Sequence, residues 1–257
     1  MDLPPSLAYH DRGEIGILEL NRPHKRNALD DDTVVALGAF FTEPPAGVRA
    51  IVLAAVGDHF SAGLDLSRVG GWDAVEGLAS SQRWHRAFEA LEFGRVPVVA
   101  VLTGAVIGGG LELAAAAHVR VAEPSAFFAL PEGQRGIFVG GGGSVRIPRL
   151  IGTSRVMDML LTGRVYDAAA GVELGLAHYL VEAGGGRTRA LELAGAIAAN
   201  SALSNFAAMH GLPRIADAPR ASGFFAEAAI AAVTQGSSEA KGRIADFLGK
   251  RAKKVRP

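Results

Sequence analysis

The sequence predicts an α/β protein with a helical C-terminal region, and three observations carry that prediction. Short apolar runs of strand character alternate with longer helical patterns as far as about residue 150. Beyond Gly152 the patterns are helical. Glycine supplies 33 of the 257 residues, nearly twice the ordinary share, so many positions need backbone without a side chain. A chain of this length buries roughly three quarters of the surface its unfolded form exposes. With 49% hydrophobic and 20% charged residues it has the material for that core.

The elements follow in order. Glu14–Leu20 alternates as a strand and ends at the loop NRPHKRN. Asp30, Asp31 and Asp32 offer N-caps for a helix whose apolar side is Val34, Val35, Leu37, Phe40 and Phe41. Arg49–Ala54 is a second apolar strand, followed by the turn-rich GDHFSAGLDL. Glu76–Phe93 reads as a helix, VPVVAVLTG as a buried strand and Gly110–Ala117 as a nearly apolar helix. Short strands around Val119–Val121 and Ala126–Leu130 precede the loop PEGQRGIFVGGGGSVRIP. After Gly152 helices and loops follow, with a boundary near residue 195, where the strands have ended, that separates a core, 1–195, from a helical region, 196–257.

Several function classes fall away. Lys plus Arg and Asp plus Glu number 26 each, and this neutrality disfavours a general nucleic-acid binder. The terminal Lys250, Arg251, Lys253, Lys254 and Arg256 read as a solvated helix end in preference to a nucleic-acid tail. Absence of cysteine removes disulfides, thiolate metal sites and a cysteine nucleophile. Val96–Ala117 is long enough to span a bilayer, but Pro97, the triplet Gly108–Gly110 and Glu112 make a strand, turn and helix the better reading. The N-terminal residues resemble neither a secretory signal nor a transit peptide, so a soluble, cytoplasmic protein is expected. The triplet lacks the third small residue of a dinucleotide fingerprint, no phosphate-loop or Gly-x-Ser-x-Gly pattern occurs, and the histidines show no ligand spacing, so no metal is expected.

Glycine turns beside two carboxylates remain. Gly108–Gly110 follows a buried strand and opens a helix, so free N–H groups and the helix dipole favour negative charge there. Glu112, in the first turn, reads either as a dipole partner or as a carboxyl whose pKa an apolar setting raises. Glu132 follows Pro131 at a strand end and alone would be a surface group. GDHFSAGLDL reads as a turn ending in the helix cap Asp65, or as one presenting N–H groups to an anion beside Gly63. Lys25 and Arg26 alone read as a solvated loop.

Together these segments resemble the crotonase superfamily, whose best-known members are enoyl-CoA hydratases. The resemblance runs through LNRPHKRNALD, HFSAGLDL, GAVIGGGLELA, FALPEGQRGI and RIPRLIG to the terminal IADFLGKR, in the family's order and over nearly the whole chain. It implies a spiral of β-β-α turns, and a C-terminal helical region that covers the site and assembles trimers or hexamers. It implies an acyl-CoA thioester as partner, with CoA part of the substrate and no other cofactor. Residue by residue, the N–H groups of Leu64 and Gly109 match the oxyanion hole, and Glu112 and Glu132 match the catalytic pair. Lys25, Arg26 and Ala28, with Ala62, Asp65 and Leu66, match the cradle for the CoA nucleotide.

The function the resemblance implies is addition of water across the α,β double bond of a 2-enoyl-CoA through a stabilised enolate. The alternatives are a Δ3,Δ2-enoyl-CoA isomerase or another crotonase-type lyase, hydrolase or decarboxylase and, in a different class, a non-catalytic acyl-CoA- or RNA-binding protein. Two departures stand out: His118 replaces the usual aspartate after the glycine helix, and Val139-Gly140 replaces the usual proline-glycine. The first is expected to affect packing and the second to reshape the acyl pocket, which Trp84 and His85 are expected to border.

Overall fold

A computed structural model describes residues 3–68 and 70–251. The basic residues Lys253, Lys254 and Arg256 lie outside the described residues. Two compact units divide between Ile197 and Ala198.

The first unit opens with β1 (Leu7–Arg12), β2 (Ile15–Leu20), α1 (Asp31–Thr42), β3 (Ala50–Ala55) and α2 (Ala74–Glu92). It continues with β4 (Val98–Leu102), β5 (Ala105–Ile107), α3 (Gly109–Ala116), β6 (Val119–Ala122), β7 (Phe127–Ala129), α4 (Gly143–Ile151) and α5 (Thr153–Thr162). It closes with β8 (Val165–Asp167), α6 (Ala168–Leu174), β9 (Tyr179–Leu180) and α7 (Gly186–Ala198). One sheet has the order β1-β2-β3-β4-β6-β9, parallel except for the antiparallel edge pair β1–β2. The second sheet is β5-β7-β8, with β5 and β7 parallel.

The repeat behind this topology is simple. Two turns, β4-β5-α3 and β6-β7-α4, each lay one strand in the large sheet, step to the small sheet and leave through a helix. The turn after β3 makes the same step with a single bridge, Ser61 to Val106, before α2. Strands β3 and β4 are buried along nearly their whole length, which explains their unbroken apolar runs. The segment 96–117 therefore becomes β4, β5 and α3, and no helix among the described residues is long and apolar enough to cross a membrane.

Helices α1 and α2 pack together, burying Leu37, Phe40 and Phe41 with Phe88 and Leu91. Of the three candidate caps, Asp30 closes α1, accepting from the Thr33 N–H at 3.0 Å. Helix α2 starts two residues before the expected Glu76, because Asp73 and Glu76 form a reciprocal capping box. The helices and loops expected after Gly152 include two strands, β8 and β9, three and two residues long and too short for a period to show; both end before residue 195. Strand β1 also escaped the sequence reading; its outer half, His10–Arg12, is exposed and polar as befits an edge.

The second unit is helical. It contains α8 (Ala202–Phe206), a π turn (Ala207–Gly211), α9 (Leu212–Asp217), α10 (Arg220–Gly236) and α11 (Ser238–Leu248). Ser237 caps α11, accepting from the Ala240 N–H at 3.1 Å. Phe224, Phe225, Phe247 and Leu248 stand exposed on this unit.

Candidate active site

The turn after β3 is fixed by its backbone. Ser61 donates to the Ala105 carbonyl at 2.9 Å and accepts from the Ile107 N–H at 3.0 Å. Leu29 donates to the Gly63 carbonyl at 2.7 Å and accepts from the Asp65 N–H at 2.8 Å, so Leu64 is held on both sides. Gly63 adopts φ +85°, and a Cβ there would stand 2.6 Å from the Ile107 carbonyl oxygen and 3.0 Å from the Gly109 nitrogen. Only glycine allows this approach.

Gly109 begins α3, whose first N–H groups lack intrahelical acceptors. A Cβ on Gly109 would lie 3.4 Å from the Leu64 nitrogen, which makes Leu64 N–H and Gly109 N–H close neighbours. Among the described residues neither donates a hydrogen bond within the protein. Both residues line a cavity of about 300 Å3, together with Glu112 and Glu132.

The two carboxyls are held differently. Glu112 Oε1 accepts from the Gly141 N–H at 2.8 Å and the Gly143 N–H at 2.7 Å. The turn that presents these donors comes so near that a Cβ on Gly143 would sit 2.6 Å from Glu112 Cγ. Burial pushes the Glu112 pKa up, against the pull of those N–H groups and of Arg146. Arg146 donates to the Gly141 carbonyl at 3.2 Å and pairs with Glu92 at 2.6 Å, bracing the turn. Glu132 is buried, and its Oε2 has no hydrogen-bond partner in the protein. Burial lifts its pKa to about 7, and the charge of Glu112 adds to the lift.

The four glycines after Val139 therefore do two things: Gly140 and Gly141 line the cavity, while Gly141 and Gly143 hold Glu112. Trp84 lines the cavity; His85 is not among its described lining and stands 3.4 Å from the Ser81 hydroxyl. His118 is absorbed in packing. Its Nδ1 accepts from the Val98 N–H and its Nε2 faces the Glu92 carbonyl, each at 3.0 Å. The first contact makes Nδ1 the acceptor, so Nε2 carries the proton.

The residues matched to the nucleotide cradle lie on two loops pinned together. Asp65 pairs with Lys25 at 3.0 Å and Arg22 at 2.9 Å. The Ser67 hydroxyl, with Lys25 and Arg22, holds its carboxyl well below the ordinary range despite burial. Asp65 thus orients Lys25. Ala62 donates to the Arg26 carbonyl at 2.9 Å and Ala28 to the Lys25 carbonyl at 3.1 Å, so these N–H groups are already used. Arg26 and Leu66 are exposed.

Three residues that organise the site went unnoticed as such in the sequence. Buried Asn27 accepts from the Arg22 N–H at 2.7 Å and donates to the Val56 and His59 carbonyls at 3.0 and 2.7 Å. The Ser61 hydroxyl donates to the Asn27 carbonyl at 2.7 Å. Asp31, read as a cap, instead accepts from Trp84 Nε1 at 3.2 Å and Ser80 Oγ at 3.1 Å and pairs with Arg83.

A parallel spiral with glycine turns around paired carboxyls is the architecture of the crotonase superfamily. The chain belongs to the enoyl-CoA hydratase/isomerase family, whose profile matches residues 11–255. It is 54% identical to a Rhodopseudomonas palustris protein classed as an enoyl-CoA hydratase, with 98% of each chain covered and a TM-score of 0.94. An enoyl-CoA hydratase of Mycobacterium tuberculosis is 32% identical over 96% of this chain and 95% of its own. The structure of an enoyl-CoA hydratase from Bacillus anthracis superposes with a TM-score of 0.90 at 26% identity, covering 97% of this chain and 98% of that one. Other curated relatives are longer. The match spans 20% of an enoyl-CoA isomerase/hydratase of Penicillium crustosum and 57% of a mitochondrial methylglutaconyl-CoA hydratase of Pyricularia oryzae.

Proposed function

We propose that this chain is an enoyl-CoA hydratase that adds water across the α,β double bond of a 2-enoyl-CoA thioester. The observation that carries the reading is the meeting, in one cavity, of two N–H groups without acceptors and two buried carboxyls, one with an unpartnered oxygen. The Leu64 and Gly109 N–H groups donate to the thioester oxygen, stabilising negative charge as it develops and drawing electrons from the β-carbon. Glu112, fixed through Oε1, takes a proton from water as the oxygen bonds to Cβ. Glu132, protonated near neutrality, delivers a proton to Cα. The product is the 3-hydroxyacyl thioester, and no cofactor besides the CoA of the substrate takes part. Lys25, ordered by Asp65, sits with Arg26, Ala28, Ala62 and Leu66 to receive the nucleotide.

The same reading makes the protein a cytoplasmic enzyme. It also makes the protein a trimer or a dimer of trimers assembled through residues 196–257. A Δ3,Δ2-enoyl-CoA isomerase is the second reading, favoured by the free oxygen of Glu132, since one carboxyl suffices to shuttle a proton. Glu112→Gln and Glu132→Gln test the hydratase reading. Each substitution is expected to slow hydration of crotonyl-CoA by about 10²–10⁴-fold with thioester binding kept. Near-parental single-turnover hydration in either variant removes that glutamate from the reaction.

A further inference from the structure

Beside the two carboxyls and the side chains of Leu64, Ile137, Asp73, Ser80 and Ser81, two kinds of lining stand out in the active-site cavity. One is aromatic: both tryptophans of the chain, Trp72 and Trp84, line it with Phe138. The other is bare backbone, at Gly77 and Gly140 among others. A Cβ on Gly77 would meet no atom within 4 Å, and one on Gly140 would meet only Ser81, at 3.6 Å and beyond. These glycines leave room in a cavity that also holds the rings.

Trp84 is held rigidly within this lining. Its Nε1 donates to Asp31 at 3.2 Å, and its ring packs edge-on to Phe88 with centroids 5.4 Å apart. The benzo edge of the indole lies 2.5 Å from where a Cβ on Gly109 would stand and 3.0 Å from one on Gly141. The ring therefore sits between an oxyanion-hole donor and the turn that fixes Glu112. The serine hydroxyls of the lining are spent: Ser80 donates to Asp31 at 3.1 Å and Ser81 to the Gly140 carbonyl at 2.6 Å. A hydrocarbon acyl group suits such a surface better than a polar one.

The geometry points to an acyl-CoA thioester whose acyl chain carries an aromatic ring, with Trp84 as the residue that selects it. This deepens the hydratase reading and rests on it for the reaction. The part of this buried indole that lines the cavity offers an incoming ring an aromatic contact that is favourable beyond the area it buries. A linear chain of equal carbon number has more rotors to immobilise.

The test uses saturated thioesters, which cannot be hydrated. 3-Phenylpropionyl-CoA and nonanoyl-CoA carry the same number of acyl carbons, and calorimetric titration of the intact protein compares them. The aryl thioester is expected to bind about 3- to 10-fold tighter, the ratio that one aromatic pair supplies. In Trp84→Leu the ratio is expected to fall to about one, and Trp84→Phe to retain part of it. Nonanoyl-CoA binding as tightly as the aryl thioester to the parent protein overturns the proposal. So does a ratio unchanged in both folded variants. Hydration of crotonyl-CoA is read on the same preparations: an aryl preference without hydration sustains the acyl selection and removes only the reaction.

Discussion

The Glu132 carboxyl holds its proton to about pH 7, because burial disfavours the anion and Glu112 stands near it. Stability follows with a definite sign. Below the ordinary value of 4.5 the group is protonated in both the folded and the unfolded chain. Between 4.5 and about 7 the unfolded chain releases the proton and the folded one keeps it, so stability falls as pH rises and then stays low. At about 1.4 kcal/mol for each pH unit across that window, the loss comes to about 3–4 kcal/mol. Glu132→Gln lacks this penalty. Its melting temperature is expected to exceed the parent's at pH 8 by clearly more than at pH 5, and an equal gap at both pH values contradicts the burial argument. The two glutamates were legible because a family pattern marks them. Asn27, Ser61 and Asp31 were not, since most of their partners are backbone groups or side chains 29–53 residues away that only the fold brings close.

At the scale of elements, His118 ties the beginning of β4 to the end of α2. It satisfies a buried N–H at Val98 and the carbonyl of Glu92, the last residue of the helix. His118→Ala leaves both without that partner and is expected to cost about 1–3 kcal/mol, read as a lower urea midpoint at unchanged slope. A change under about 0.5 kcal/mol contradicts the tie. Strands β3 and β4 were readable because parallel strands covered on both faces leave long apolar runs, and β2 from its alternation. Helix α2 was readable from its apolar spacing, but its start was set by Asp73, a cap whose role depends on the Glu76 side chain. Strands β8 and β9 have no such signature; they pair because the chain returns to edges already built by β7 and β6.

For the whole molecule, the second unit leaves Phe225 79% and Phe224 59% exposed, an uncommon cost for rings that remain in water. Trimer-based assembly would cover them. Light scattering of the intact protein is expected to give a mass that is a multiple of three chains, and Phe225→Asp to lower it. A monomer across a broad concentration range contradicts the assembly. The helical nature of this unit was plain from its sequence, whereas its exposed rings needed the structure, because apolar spacing alone does not say which face is covered.

The central claim is that Leu64, Gly109, Glu112 and Glu132 together add water to an enoyl thioester. The measurement that meets it most directly is mass analysis of the product formed from crotonyl-CoA in water enriched in heavy oxygen. The parent protein is expected to yield 3-hydroxybutyryl-CoA with the label on Cβ, and Glu132→Gln to yield it at least about a hundredfold more slowly. A folded parent protein that moves the double bond without taking up label, or leaves the thioester unchanged, contradicts the claim.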